Sequence, residues 1–177
     1  MAKSRENVPA NLKWRTEDIF LTQADWEKTY AEVEAKLDFS AYEGKLADAD
    51  MLLECLNKVN EAELDFSKLA VYASMKRDED TRISEFTALQ SRIELLGMKF
   101  SGAVAFMNPE LTALPTAKLK ELAADERFSD YDYTIRSVIR KKPHVLSKEM
   151  EALLAQGSKV FGGYQRVFGM LDNADFP

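Results

Sequence analysis

Two long stretches of this chain are patterned as amphipathic helices, and only a charged pentapeptide separates them. From Asp50 to Met75 there is no Gly or Pro. Leu52, Leu56, Val59, Phe66, Ala70 and Ala73 recur there at spacings of 4, 3, 7, 4 and 3, the period of one helical face. From about Thr81 to Met107 a second stripe runs through Ile83, Phe86, Ile93, Leu96, Phe100, Val104 and Met107. The intervening Lys76-Arg77-Asp78-Glu79-Asp80 is expected to turn the chain. Two such helices bury their stripes by packing antiparallel. The expected class is all-α: an elongated antiparallel helical hairpin or bundle of long helices, followed by a smaller set of short helices.

The flanking segments fit that frame. Thr22, with Asp25 three residues on, is placed to cap a helix carrying Trp26, Tyr30, Val33 and Leu37 on one face. Before it, Pro9, Trp14, Ile19 and Phe20 read as an extended lead-in whose aromatics dock on a neighbour. Gly44 breaks the first helix from the second, which starts near Asp48 or Asp50. Gly97 and Gly102 cost roughly 1 kcal/mol each inside a helix and permit close backbone approach. Asn108-Pro109-Glu110 is expected to stop the third helix, with Asn108 capping the next turn. Leu119, Leu122 and Ala123 then face inward on a short helix opened by Leu114-Pro115-Thr116. Phe128, Tyr131, Ile135, Val138 and Ile139 mark another, ended before Pro143. Ser147 is a further expected cap. Residues 1–110 are expected to form the long-helix part and 111–177 a short-helix segment.

Composition narrows the chemistry. A hydrophobic fraction of 46% supports a packed core. One His cannot supply the two imidazoles of H-E-x-x-H, and one Cys forms neither an internal disulfide nor a four-thiolate metal site. A net charge of −6 disfavours a dedicated nucleic-acid binder. The longest charge-free run, Phe100–Pro109, is far shorter than the roughly 20 apolar residues of a membrane span. Met1–Asn7 has no apolar stretch of a secretory signal, so the expected compartment is the cytoplasm, with no membrane or nucleic-acid partner. Cys55, among Leu52, Leu53 and Leu56, reads as a buried inert thiol.

No constellation carries catalysis. His144 has no second ligand nearby and reads as a surface or structural histidine; Ser147 beside it is explained by capping. Arg136, Arg140, Lys141 and Lys142, near Tyr131 and Tyr133, read as a solvated helix end. Asp65, Asp78, Glu79, Asp80 and Glu85 lack calcium-loop spacing. Gly162-Gly163 has no phosphate-loop context. No catalytic, cofactor-binding or metal residue is assigned, and no cofactor is expected in this chain.

A set of short stretches, in order along the whole chain, resembles the N-terminal region of oligoendopeptidase F, a zinc peptidase family related to thimet oligopeptidase. They are Trp14-Arg15-Thr16-Glu17-Asp18-Ile19-Phe20 followed by Trp26; Leu69-Ala70-Val71-Tyr72-Ala73-Ser74-Met75; and Phe106-Met107-Asn108-Pro109-Glu110-Leu111. Tyr131 through Ile135-Arg136, Lys142-Pro143-His144-Val145-Leu146-Ser147 and Glu151-Ala152-Leu153-Leu154 follow, then Leu171-Asp172-Asn173-Ala174-Asp175. The resemblance implies a helical wall or lid of a deep channel. It also implies a catalytic region elsewhere, whose two His and downstream Glu hold zinc while the motif's own Glu activates water. None of those positions lies in this sequence. The chain is therefore expected to be a non-catalytic N-terminal portion, inactive alone, of a peptidase that hydrolyses short peptides. Its expected partners are the parent's catalytic domain, oligopeptide substrates in the intact enzyme, and a second copy through exposed C-terminal apolar surface. The chain's close at Asp172–Pro177 reads as the middle of a connection. The alternative is a stand-alone helical interaction module binding through Phe161, Tyr164, Val167 and Phe168.

Overall fold

A computed structural model describes residues 8–80, 82–145, 150 and 163–171. Seven α-helices are described: α1 Gln23–Lys36, α2 Ala49–Glu79, α3 Ser84–Ala103, α4 Met107–Ala113, α5 Thr116–Ala124, α6 Asp132–Lys141 and α7 Gly163–Met170. No strand occurs among the described residues, and the fold is all-α. The chain forms two compact units, Met1–Ile139 and Arg140–Pro177. No helix among the described residues is long and apolar enough to cross a membrane.

In the first unit, α1 starts at a reciprocal cap. Thr22 Oγ1 accepts from the Asp25 N–H, and the Asp25 carboxylate accepts from the Thr22 N–H. Helix α2 starts where Asp48 Oδ1 accepts from Asp50 and Met51. Its 31 residues span roughly 46 Å. Later residues of α2 meet earlier residues beyond the turn: Cys55 faces Met107, Phe66 faces Gly97, and Ser74 bonds Gln90. The hairpin is therefore antiparallel. Helix α1 lies along both members, with Trp26 and Lys36 reaching α2 and Glu27 and Glu34 reaching α3.

Three expectations about this hairpin are corrected. The charged pentapeptide does not turn the chain, because α2 continues to Glu79. Lys76 and Arg77 occupy its last turn, where cations suit the helix dipole. The Lys76 ammonium also lies near the Tyr72 and Phe86 rings and pairs with Glu79. Helix α3 ends at Ala103 rather than Met107. The Val104 N–H turns back to the Phe100 carbonyl and that of Ala105 to Gly102. Asn108-Pro109-Glu110 does not stop a helix but opens α4, whose N-cap is Phe106. Proline is tolerated there because first-turn N–H groups have no intrahelical acceptor.

Two buried clusters fill the first unit. One joins Phe20, Trp26, Tyr30 and Val33 to Leu69, Tyr72 and Ala73 of α2 and Leu89, Ile93 and Leu96 of α3. The other joins Phe39, Tyr42 and Leu46 of the α1–α2 connection to Leu52, Cys55 and Leu56 of α2, Phe100 of α3, and Leu111, Leu119, Leu122, Phe128, Ile135 and Val138. Phe128 lies in a 3-10 turn, Glu126–Tyr131, rather than in an α-helix. In the lead-in, Phe20 docks edge-on to Tyr72 at 5.5 Å, but Trp14 stays half exposed.

Candidate functional site

The residues weighed for chemistry disperse. His144 is exposed, in a 3-10 turn Lys142–His144. Ser147 lies outside the described residues, as do Gly162, Phe161 and the stretch Glu151–Leu154. Arg136 pairs with Asp132 at 2.6 Å, and Tyr133 is exposed. The acidic residues are spent on neighbouring cations: Asp65 on Lys36 and Lys68, Asp78 on Arg77, Asp80 on Arg82. Among the described residues no three His, Cys, Asp or Glu side chains are placed to hold a metal ion. A zinc site does not fit the described residues. Burial pushes the Cys55 thiol up to about 11, helped by the Glu110 charge, as suits a buried inert thiol.

What the structure does bring together is a junction at the end of α3. The uncharged run Phe100–Pro109 leaves α3, passes Gly102, Ala103 and Ala105, and enters α4. Against it lies the α1–α2 connection, Leu37–Leu46. Glu110 ties the two. Its carboxylate accepts from the Gly44 N–H at 2.6 Å and the Leu46 N–H at 3.3 Å. Gly44 has φ +76°, a conformation that L side chains rarely adopt. Next to this tie is a cavity of about 560 Å³ between Leu37, Phe39, Ala103 and Phe106, with Asp38 and Glu43 among its lining residues. Ser40 donates to Asp38 Oδ1 through Oγ at 2.7 Å and N–H at 3.0 Å. Those bonds hold the Asp38 carboxyl below its ordinary range. Sequence reading marked Glu110 only within a motif. Its backbone partners lie more than sixty positions away, and no local pattern announces such a pairing.

The motif stretches meet their neighbours. The Trp26 indole N–H donates to the Leu69 carbonyl at 3.1 Å, and Tyr72 receives Phe20. Arg15 pairs with Asp18 across the lead-in turn. Tyr131 donates to Asn57 Oδ1 at 2.7 Å. These stretches thus supply the joints of one helical architecture.

Comparison with known proteins decides whose architecture it is. The family model described as Oligopeptidase F matches residues 110–177. Oligopeptidase PepF of Bacillus subtilis is 35% identical over 97% of this chain and 26% of its own length. The chain matches the N-terminal region of the oligoendopeptidase F family. Group B oligopeptidase PepB of Streptococcus agalactiae is 33% identical over 99% of the chain and 30% of its own length. The crystal structure of oligoendopeptidase-F from Enterococcus faecium superposes with TM-score 0.67 and 28% identity, covering 87% of this chain and 30% of that one. A Chlamydophila abortus structure, at TM-score 0.78, 20% identity and 100% of this chain, shows the fold alone. The chain spans about a quarter to a third of these relatives' length.

Proposed function

We propose that this chain is the non-catalytic wall or lid of an oligopeptide-hydrolysing zinc peptidase, with the metal and its ligands supplied by polypeptide outside these residues. The identity over nearly the whole chain to oligopeptidases more than three times as long carries this reading. A rigid antiparallel hairpin tied by α1 suits a wall that admits extended peptides and excludes folded proteins by size. The partners are then the parent's catalytic domain and short peptide substrates, in the cytoplasm. Helix α7 supports a surface awaiting cover: Tyr164, Val167, Phe168 and Leu171 fall on one helical face and are all exposed. In this proposal the continuing polypeptide covers it. Self-association through the same face is the competing outcome, read by sedimentation of the 177-residue chain.

The test is the reading frame beyond the Pro177 codon and the activity of its product. An in-frame H-E-x-x-H is expected, with the whole product cleaving a fluorogenic oligopeptide and residues 1–177 cleaving none. A stop codon directly after Pro177 overturns the reading and leaves a stand-alone helical interaction module.

A further inference from the structure

The cavity beside the Glu110 tie has walls that differ in chemistry. Leu37, Ala103 and Phe106 offer half-buried apolar surface above the buried Phe39, while the exposed Asp38 and Glu43 bring two carboxylates. Asp38 Oδ2 and the Glu43 carboxylate make no hydrogen bond or ion pair among the described residues. The last turn of α3, the negative end of its dipole, forms part of the same wall. The cations of the segment are committed to backbone carbonyls: Lys58 to Asp38 at 2.6 Å and Lys45 to Ala41 at 2.9 Å. Neither lines the cavity. Lys58 also shows what this corner accepts, because its ammonium lies 5.0 Å from the Phe39 ring centroid and 5.7 Å from that of Tyr42.

A cleft with an apolar wall and carboxylate oxygens open at its rim suits an alkyl stem that ends in a cation. The volume lies within the roughly 300–1,000 Å³ of small-ligand pockets. We infer that this cavity receives the side chain of a lysine or arginine in an extended peptide, making it a subsite that selects basic residues. The stem lies along Leu37 and Phe106, and the charged head meets Asp38 and Glu43. The neighbouring surface suits a peptide backbone, since Ser101, Gly102 and Ala105 are small, uncharged and exposed. The inference rests on the reading of the chain as part of a peptidase only for its peptide source.

Gly102 provides the decisive variant. A Cβ built there meets nothing within 4 Å, so Gly102→Leu puts a side chain at the cavity without a clash and removes a helix-weakening glycine. The test is a backbone-amide NMR titration of the 177-residue chain with N-acetyl-lysine methylamide and with N-acetyl-norleucine methylamide, its analogue lacking the ammonium. Expected are saturable shifts confined to residues 37–43 and 102–106, with norleucine at least five-fold weaker. Asp38→Asn, which keeps the acceptor for Ser40, weakens lysine binding several-fold. Gly102→Leu abolishes it with no fall in melting temperature. Equal binding of both probes, no saturable shift, or undiminished binding by Gly102→Leu overturns the inference. The readout is binding alone, so a stop codon after Pro177 leaves it standing, and a failed titration leaves the reading-frame test untouched.

Discussion

The two buried clusters of the first unit are built on different principles. The cluster around Trp26 is made by three long helices, each with its own apolar stripe, and its polar ties run between neighbouring helices. The Arg92 guanidinium of α3 pairs with both Glu27 oxygens at 2.6 and 2.7 Å and stacks 4.8 Å from Trp26 and 4.5 Å from Tyr30. The cluster around Phe128 is assembled from a connection, a 3-10 turn and short helices that would not persist alone. Its tie, Glu110, holds backbone rather than a side chain. Regular helices lock together through side chains that reach a partner side chain or carbonyl, as Trp26 reaches Leu69, whereas irregular chain must also have its backbone N–H groups satisfied.

The sharpest way to break this contrast is to damage each cluster separately. Trp26 is fully buried with its N–H bonded, and Phe128 is fully buried in the other cluster. Trp26→Ala and Phe128→Ala are each expected to cost about 3–5 kcal/mol in urea unfolding. If the first unit is cooperative, both lower one shared transition. Labelling of Cys55, buried in the Phe128 cluster, then rises equally in both variants. Faster labelling in Phe128→Ala alone would show that the clusters open independently.

Removing the backbone tie comes next in size. Glu110→Ala is expected to destabilise by about 2 kcal/mol, in the range for hydrogen bonds to a charged group, measured by urea unfolding. Faster amide exchange at Gly44 and Leu46, with Trp26 fluorescence unchanged, would localise the effect. A global loss of protection would erase the distinction between the two kinds of tie.

The smallest effect is expected at the side-chain tie. Arg92→Met keeps most of the stem and loses a half-exposed ion pair and its ring contacts, at about 1 kcal/mol. Its pH dependence identifies the partner. Arg92 holds the Glu27 carboxyl below its ordinary 4.5 by hydrogen bonding. A depressed carboxylate contributes stability well above that value and loses it as pH falls through the folded-state value. The gap between wild type and Arg92→Met in melting temperature should therefore be widest near neutrality and narrow in acid. A gap independent of pH would assign the effect to stacking alone.

How much was legible follows the same division. The stripes of α1 and α2 were readable because burial repeats every three to four residues, and Thr22 and Asp48 cap where local chemistry places them. Leu89, buried on α3, keeps the helical spacing between Phe86 and Ile93, and its burial shows only in the packed structure. Trp14 was expected to dock and stays half exposed, since hydrophobicity alone names no neighbour. The charged pentapeptide resembled a turn because its composition is polar, yet Lys76 extends the helix by lying against two rings. Glu110 and the cavity walls were invisible, as their members come from segments far apart in the chain.

The sequence by itself determined that this protein is helical, where its long helices lie, and which family architecture it follows, because periodicity, caps and ordered motifs are local properties. Only the tertiary structure decided that Glu110 fastens Gly44 and Leu46, that Arg92 locks α1 to α3, and that Asp38 and Glu43 share a cleft with Leu37 and Phe106. Those pairings depend on how helices of fixed length meet in space, and no spacing along the chain encodes that meeting directly.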